Sequence, residues 1–247
     1  HHEQPAGGRM EAAQECDDSQ STGQGGGNDS CEDPLRARFN ALSSRTQQEI
    51  LDKHRDWDVQ HDWWDSEYVN FRQRLSEVGI DVAQMYFSGF WSQGDGASFA
   101  GAINDLALFI QKHNIEAPTI LSLLSEDSID ASFVSQVRGH YVHSRCMNFE
   151  SGVSFTGPDH DEPLLQAAAT VKNGLAEKEW DELTRNLAPD IFREHADQLY
   201  SDLETEYDYL TSDEQILESL IANDHLEQAL ERYEPDSSEE GDEGQDT

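Results

Sequence analysis

The sequence predicts an α+β fold, a small antiparallel sheet with packed helices and a helical C-terminal third, and three observations carry that expectation. From Tyr86 to Phe99, aromatic residues stand on both sides of Gly94-Asp95-Gly96, the composition of two strands joined by a tight turn. Trp64, Tyr68, Phe71, Leu75 and Val78 recur at steps of four and three, which is one face of a helix. Phe192, Ala196, Leu199, Leu203, Tyr207 and Leu210 repeat the same steps over about six turns.

The elements follow in order. Residues 1–33 are rich in Gly, Gln, Ser, Asp and Glu with almost no large apolar side chain, and residues 234–247 are mostly acids, Ser and Gly. Both are expected to be disordered acidic tails, because neither buries enough surface to offset the entropy of ordering. Residues 34–233 are then expected to form a single α+β domain with a helical C-terminal part. Ser44 is placed to cap a short helix carrying Ile50 and Leu51. The aromatic-striped helix should end at Gly79, and Ile80 to Phe90 should be a strand entering the hairpin. Asn104 to His113 has helical spacing. Pro118 with Leu121, Leu123 and Leu124 suggests a turn and a short apolar segment, and Phe133 to Phe155 two further strands, with Gly139 and Gly152 as turn or bulge positions. Four strands with helices on one face result. A polar turn from Gly157 to Pro163 precedes a helix beginning at Leu164. Pro189 suits the first turn of the long helix, and Ser212 with Gln215 makes a capping box for the last one.

Charge narrows the function classes. The 247 residues hold 51 acids and 16 bases, a formal net charge of −35, and residues 34–233 retain 36 acids against 15 bases. Such a surface repels nucleic acid and anionic membrane and attracts basic partners; high solubility or salt adaptation is the plainer explanation. The three cysteines, two of them (Cys16 and Cys31) near the N-terminus, make no disulfide framework and fit a reducing compartment. No signal peptide or membrane span is legible, so a cytoplasmic protein is the expectation.

Three groups of residues have chemistry to offer. Asp190, Glu194, Asp197, Glu204 and Asp208 fall on the polar face of the long helix, with Ser201 at the same spacing. Helical neighbours three and four apart lie about 5 to 6 Å from one another, so the row resembles a strand of phosphates and suits a basic partner. Ser92, Gln93, Asp95 and Ser98 are polar groups beside aromatic surface, and His140 or His143 reaching them would set a base near a hydroxyl, the elements of a ligand site. His140, His143 and Cys146 have metal-ligand chemistry, but strand alternation turns His143 away from the other two, so no metal and no cofactor is expected. The acids and histidines between Asp52 and Asp62 have no motif spacing.

Several of these stretches resemble a family of bacteriophage and mobile-element proteins. They are Asp62-Trp63-Trp64-Asp65 with Tyr68, the run from Tyr86 to Phe99, Gly139 to Ser144 with Cys146-Met147, and Tyr207 to Glu214 through Ala222-Asn223. The resemblance implies a setting in a bacterial host cytosol; members are sometimes labelled antitoxins, and no reaction or catalytic residue comes with it. The combined expectation is a non-enzymatic interaction protein that binds a basic, nucleic-acid-handling host protein in the manner of a DNA mimic. An antitoxin-like or regulatory protein with one specific partner, and a ligand-binding protein or enzyme centred on the hairpin turn, are the alternatives.

Overall fold

A computed structural model describes residues 33–156 and 161–233. The expected tails, with Cys16 and Cys31, and most of the turn from Gly157 to Pro163 lie outside the described residues, Asp33 excepted. Asp33 accepts the Leu35 N–H at 2.9 Å and caps α1 (Pro34–Ala41). Helix α2 (Ser44–His54) is capped by Ser43, one residue before the expected Ser44, because the Ser43 hydroxyl is the group that reaches the Thr46 N–H.

The aromatic-striped helix is α3 (Asp65–Ser76), which buries Phe71 and Leu75. The chain leaves it through Gly79 at φ +82, where an added Cβ would lie 2.4 Å from the Asp105 carbonyl oxygen. Only glycine fits there, and its own carbonyl accepts the N–H groups of Asn104 and Asp105. The start of β1 (Ile80–Ser88) is thereby clamped to the end of β2 (Gly96–Ile103). A bulge at Ala83, between the pairs Val82–Gly101 and Gln84–Ala100, resets the alternation so that Val82 and Met85 are both buried. The expected tight turn is a seven-residue loop, Gly89 to Asp95, and Gly94 at φ +99 is its left-handed residue.

Helices α4 (Leu106–Lys112) and α5 (Pro118–Ser125) lead to β3 (Ile129–Val137) and β4 (Met147–Phe155), closing a four-stranded antiparallel sheet in the order β1-β2-β3-β4. Strands β2 and β3 pair only at Gly101–Ser135 and Ala102–Val134. Where they part, the buried Ser135 hydroxyl accepts the Gly101 N–H and donates to the Phe99 carbonyl, both at 3.0 Å, in place of ladder bonds. Gly139 is a turn residue at φ +118, whereas Gly152 pairs regularly with Ser132 and makes no bulge.

Helix α6 (Pro163–Glu182) runs through a π turn, Leu183–Leu187, into α7 (Ala188–Leu210). Pro189 stands in the first turn of α7, as expected, but that turn is entered from a π turn and not from a loop. Proline lacks an N–H and its ring crowds the carbonyl four residues back, and the wider π turn just before it accommodates both defects. Phe192 of α7 centres the core, with Phe99, Phe133 and Phe149 at ring distances of 5.2, 5.3 and 5.9 Å. Helices thus cover one sheet face, while Asp81, Gln84, Asp130, Asn148 and Glu150 leave the other open to solvent. A second, smaller core joins α1 and α2 to α8 (Asp213–Ala222) and α9 (His225–Leu230) around Phe39, Ile50, Leu217 and Leu230. Ser212 caps α8 through the Gln215 N–H, but the expected box is only half made: the Gln215 amide donates to the Ser219 hydroxyl, and the Ser212 N–H bonds the Tyr209 carbonyl. Among the described residues no helix is long and apolar enough to cross a membrane.

Candidate functional site

The loop from Gly89 to Asp95 is held from inside by Asp95, whose carboxylate accepts the N–H groups of Trp91 (3.0 Å) and Ser92 (2.6 Å). Gly89 lies beneath it, and an added Cβ there would stand 3.0 Å from that carboxylate. Asp95 is thus the residue that shapes the loop, and Ser92 and Gln93 are exposed at its tip.

The connection from β3 to β4, residues 138–146, folds across to this loop. An added Cβ on Gly94 would lie 3.2 Å from the Tyr141 ring, and one on Gly96 would lie 2.5 Å from the His143 Cβ. His143 is therefore brought against the base of the hairpin, whereas His140 is exposed beside Tyr141. The Cys146 sulfur lies 3.6 Å from both ring nitrogens of His143. Among the described residues no three His, Cys, Asp or Glu side chains converge to hold a metal. Ser98 is wholly buried and its hydroxyl has no hydrogen-bond partner among the described residues.

On its other side the loop is fastened to α7, where the Tyr200 hydroxyl donates to the Gly89 carbonyl at 3.1 Å. Phe90 then sits between Tyr200 and Tyr207 at ring distances of 5.5 and 5.2 Å, with Trp63 behind it. Trp91 stacks edgewise on Tyr207 at 5.3 Å and is still 74% exposed. The sequence places these aromatics only in a hairpin and on helix faces, and the patch they form is not among the groups read from it. Its signal was the seven-residue spacing of Tyr200 and Tyr207, which sets both beside the acidic row.

That row lies on α7 opposite the buried Phe192, Ala196, Leu199 and Leu203. Asp190, Glu194, Asp197 and Asp208 are exposed and Glu204 is half-buried, over about 27 Å of helix. Asp190 pairs with Arg193 at 3.0 Å, and the other four have no ion pair among the described residues. The aromatics feel the acids. Burial raises the Tyr200 phenol pKa, with Asp95 and Glu204 adding to it, and raises that of Tyr207, with Asp56 and Asp208 adding. On the far flank, burial followed by repulsion from Asp202 and Glu206 raises the Glu67 carboxyl, although Arg74 stands between and pairs with Asp202.

A separate cavity of about 180 Å³ lies in the smaller core, lined by Lys53, His54, Trp57, His225 and Arg232 among others. Lys53 and His54 are in the last turn of α2, where positive charge complements the helix dipole.

A family model described as "Domain of unknown function (DUF8835)" matches residues 63–213, more than half of the chain, and the chain belongs to that family. The matched region contains the whole sheet, α3 to α7, both loops and the acidic row; α1, α2 and α9 lie outside it. No curated protein and no solved structure matches the chain.

Proposed function

We propose that this family member is a non-enzymatic interaction protein of a bacteriophage or mobile element, acting in a bacterial cytosol, that binds a basic, nucleic-acid-handling host protein in the manner of a DNA mimic. The observation that carries the reading is the row of α7 carboxylates, four of five without a cationic partner among the described residues, beside a tryptophan left three-quarters exposed. Like charges three and four apart cost a helix a few tenths of a kcal/mol per pair, so the row is retained at some expense. A partner's Arg and Lys side chains would pair with the carboxylates, and an Arg guanidinium would lie on the face of Trp91 or Tyr207. Duplex DNA presents one charge per about 3.4 Å along each strand, against roughly one per 7 Å here. The mimicry is of charge and line, and salt governs the binding.

The test replaces all five acids (Asp190→Asn, Glu194→Gln, Asp197→Asn, Glu204→Gln, Asp208→Asn) and compares capture of DNA-binding proteins. At roughly 0.4 kcal/mol for each carboxylate, binding should weaken about thirty-fold. An antitoxin-like contact through apolar surface would instead survive both the amides and high salt.

Two observations favour a second reading, a small-ligand site where the loops meet: the Ser98 hydroxyl, without a partner among the described residues, and the seating of His143 on Gly96. A nucleotide panel that raised the melting temperature of the wild-type protein, with the rise lost in Ser98→Ala, would support it; no rise with any nucleotide would remove it.

A further inference from the structure

The cavity in the smaller core inverts the charge of this chain. It holds about 180 Å³ between α2, the 3-10 turn Trp57–Val59 and α9. Lys53, His54, His225 and Arg232 stand in its wall, and among the described residues no Asp or Glu lines it, in a sequence where acids outnumber lysines and arginines by 51 to 16. Elsewhere Arg36, Arg45, Arg55, Arg74 and Lys172 are each paired with a carboxylate. Lys53 and Arg232 have no hydrogen bond or ion pair among the described residues, and the Gln228 amide and Tyr233 hydroxyl beside them are likewise without a partner there.

Helix ends explain part of this, since Lys53 lies in the last turn of α2 and Arg232 two residues beyond α9, where positive charge is favoured. They do not explain the rest of the wall. Its floor is Ile50 and Ala229, both buried in the smaller core. Asp58 accepts the Ser219 hydroxyl and so fastens the 3-10 turn to α8, which stands Trp57 at the cavity's edge. Asp224 takes a left-handed φ of +58 just before α9, and the ring of His225 then meets Trp57 at 4.7 Å. The His54 Nδ1–H donates to the Ile50 carbonyl at 2.8 Å, which leaves Nε2 as the free nitrogen of that ring. An apolar floor, partly open aromatic rings and unpaired cations at the rim are what an amphiphilic anion needs.

We propose that this cavity binds a small aryl acid, one ring bearing a carboxylate or a phosphate, with the ring on Ile50, Ala229 and Trp57 and the anion met by Lys53 and Arg232. Size sets the body of the ligand: a cavity of about 150 Å³ admits benzene, so this one holds one ring and little more. Charge sets its head, because a guanidinium matches carboxylate and phosphate oxygens alike. The net charge of −35 repels an anion from a distance, but at physiological salt it is screened beyond about 8 Å, and in the wall itself the charged groups are cations. The site is separate from the acidic row and from the family domain, since every residue of its wall lies before residue 63 or after residue 213.

Titration calorimetry of the full chain at about 0.15 M salt tests this, with phenyl phosphate, benzoate, inorganic phosphate and benzyl alcohol as probes. At least one aryl acid should bind one per chain with a dissociation constant below about 1 mM, and the tighter of the two names the head group. Inorganic phosphate lacks the ring and benzyl alcohol lacks the charge, so each should bind at least about ten-fold more weakly. Lys53→Gln with Arg232→Gln should weaken the aryl acid about ten-fold while the melting temperature stays within about 2 °C, because both side chains are exposed. Ala229→Met, which puts a flexible side chain into the space, should remove binding. No binding of either aryl acid, binding indifferent to the double substitution, or inorganic phosphate or benzyl alcohol held as tightly as the aryl acid would overturn the proposal.

Discussion

His195 of α7 faces inward, 5.8 Å from the ring of His113, and burial holds its pKa down to about 4, with His113 and Arg74 adding positive charge nearby. The unfolded chain takes up that proton near pH 6.5, the folded chain only near 4. Between those values the unfolded state binds more protons, so stability falls as pH drops through the window, by about 3 kcal/mol in all, and the effect is absent above it. Urea midpoints of the wild type and His195→Gln from pH 7 to 4 should converge by that amount; parallel curves would contradict the assignment. Ser98 gives a second residue-scale prediction. A buried hydroxyl without a partner is a cost, so Ser98→Ala should stabilise by about 1 kcal/mol in a denaturant melt. Neither residue was legible in this way: His195 was passed over, and Ser98 was grouped with Ser92 and Gln93, because one position in a strand separates loop tip from core and only the pairing register tells them apart.

At the scale of elements, α7 is asked to do two opposed things. Changing its five acids to amides should raise the melting temperature, by relieving repulsion along the helix, and weaken partner binding in the same protein. A fall in both would mean that the acids are structural. Gly79→Ala should destabilise by about 2 kcal/mol or more, since it combines a positive φ with a 2.4 Å clash against backbone that has no freedom to yield. Most elements were legible from periodicity: the stripes of α3 and α7 and the Ser212 cap follow from spacing, whereas Pro118 to Ser125, expected as a turn and a short apolar segment, is the helix α5. What was not legible depends on contacts distant in sequence. The bulge at Ala83 is a register choice against β2, Ser135 replaces ladder bonds only because β2 and β3 part, and the π turn before Pro189 lets two helices run on as one.

Over the whole molecule, one loop decides the layout. Gly89 to Asp95 is tied to α7 by Tyr200 and met by the β3–β4 connection at Gly94 and Gly96, so residues from three distant parts of the chain share one surface. The sequence named most of those residues and kept them in separate groups, an acidic row and a possible ligand turn, because nothing in either spacing says that a hairpin tip rests on α7. The smaller core was likewise invisible as a unit, being assembled from both flanks of the family domain.

The most direct measurement is capture of DNA-binding proteins on immobilised wild-type chain at low salt, followed by elution with duplex DNA, beside the five-amide variant. The account predicts that DNA displaces what the wild type holds and that the variant holds about thirty-fold less. Equal retention by the two proteins, untouched by DNA, would contradict it.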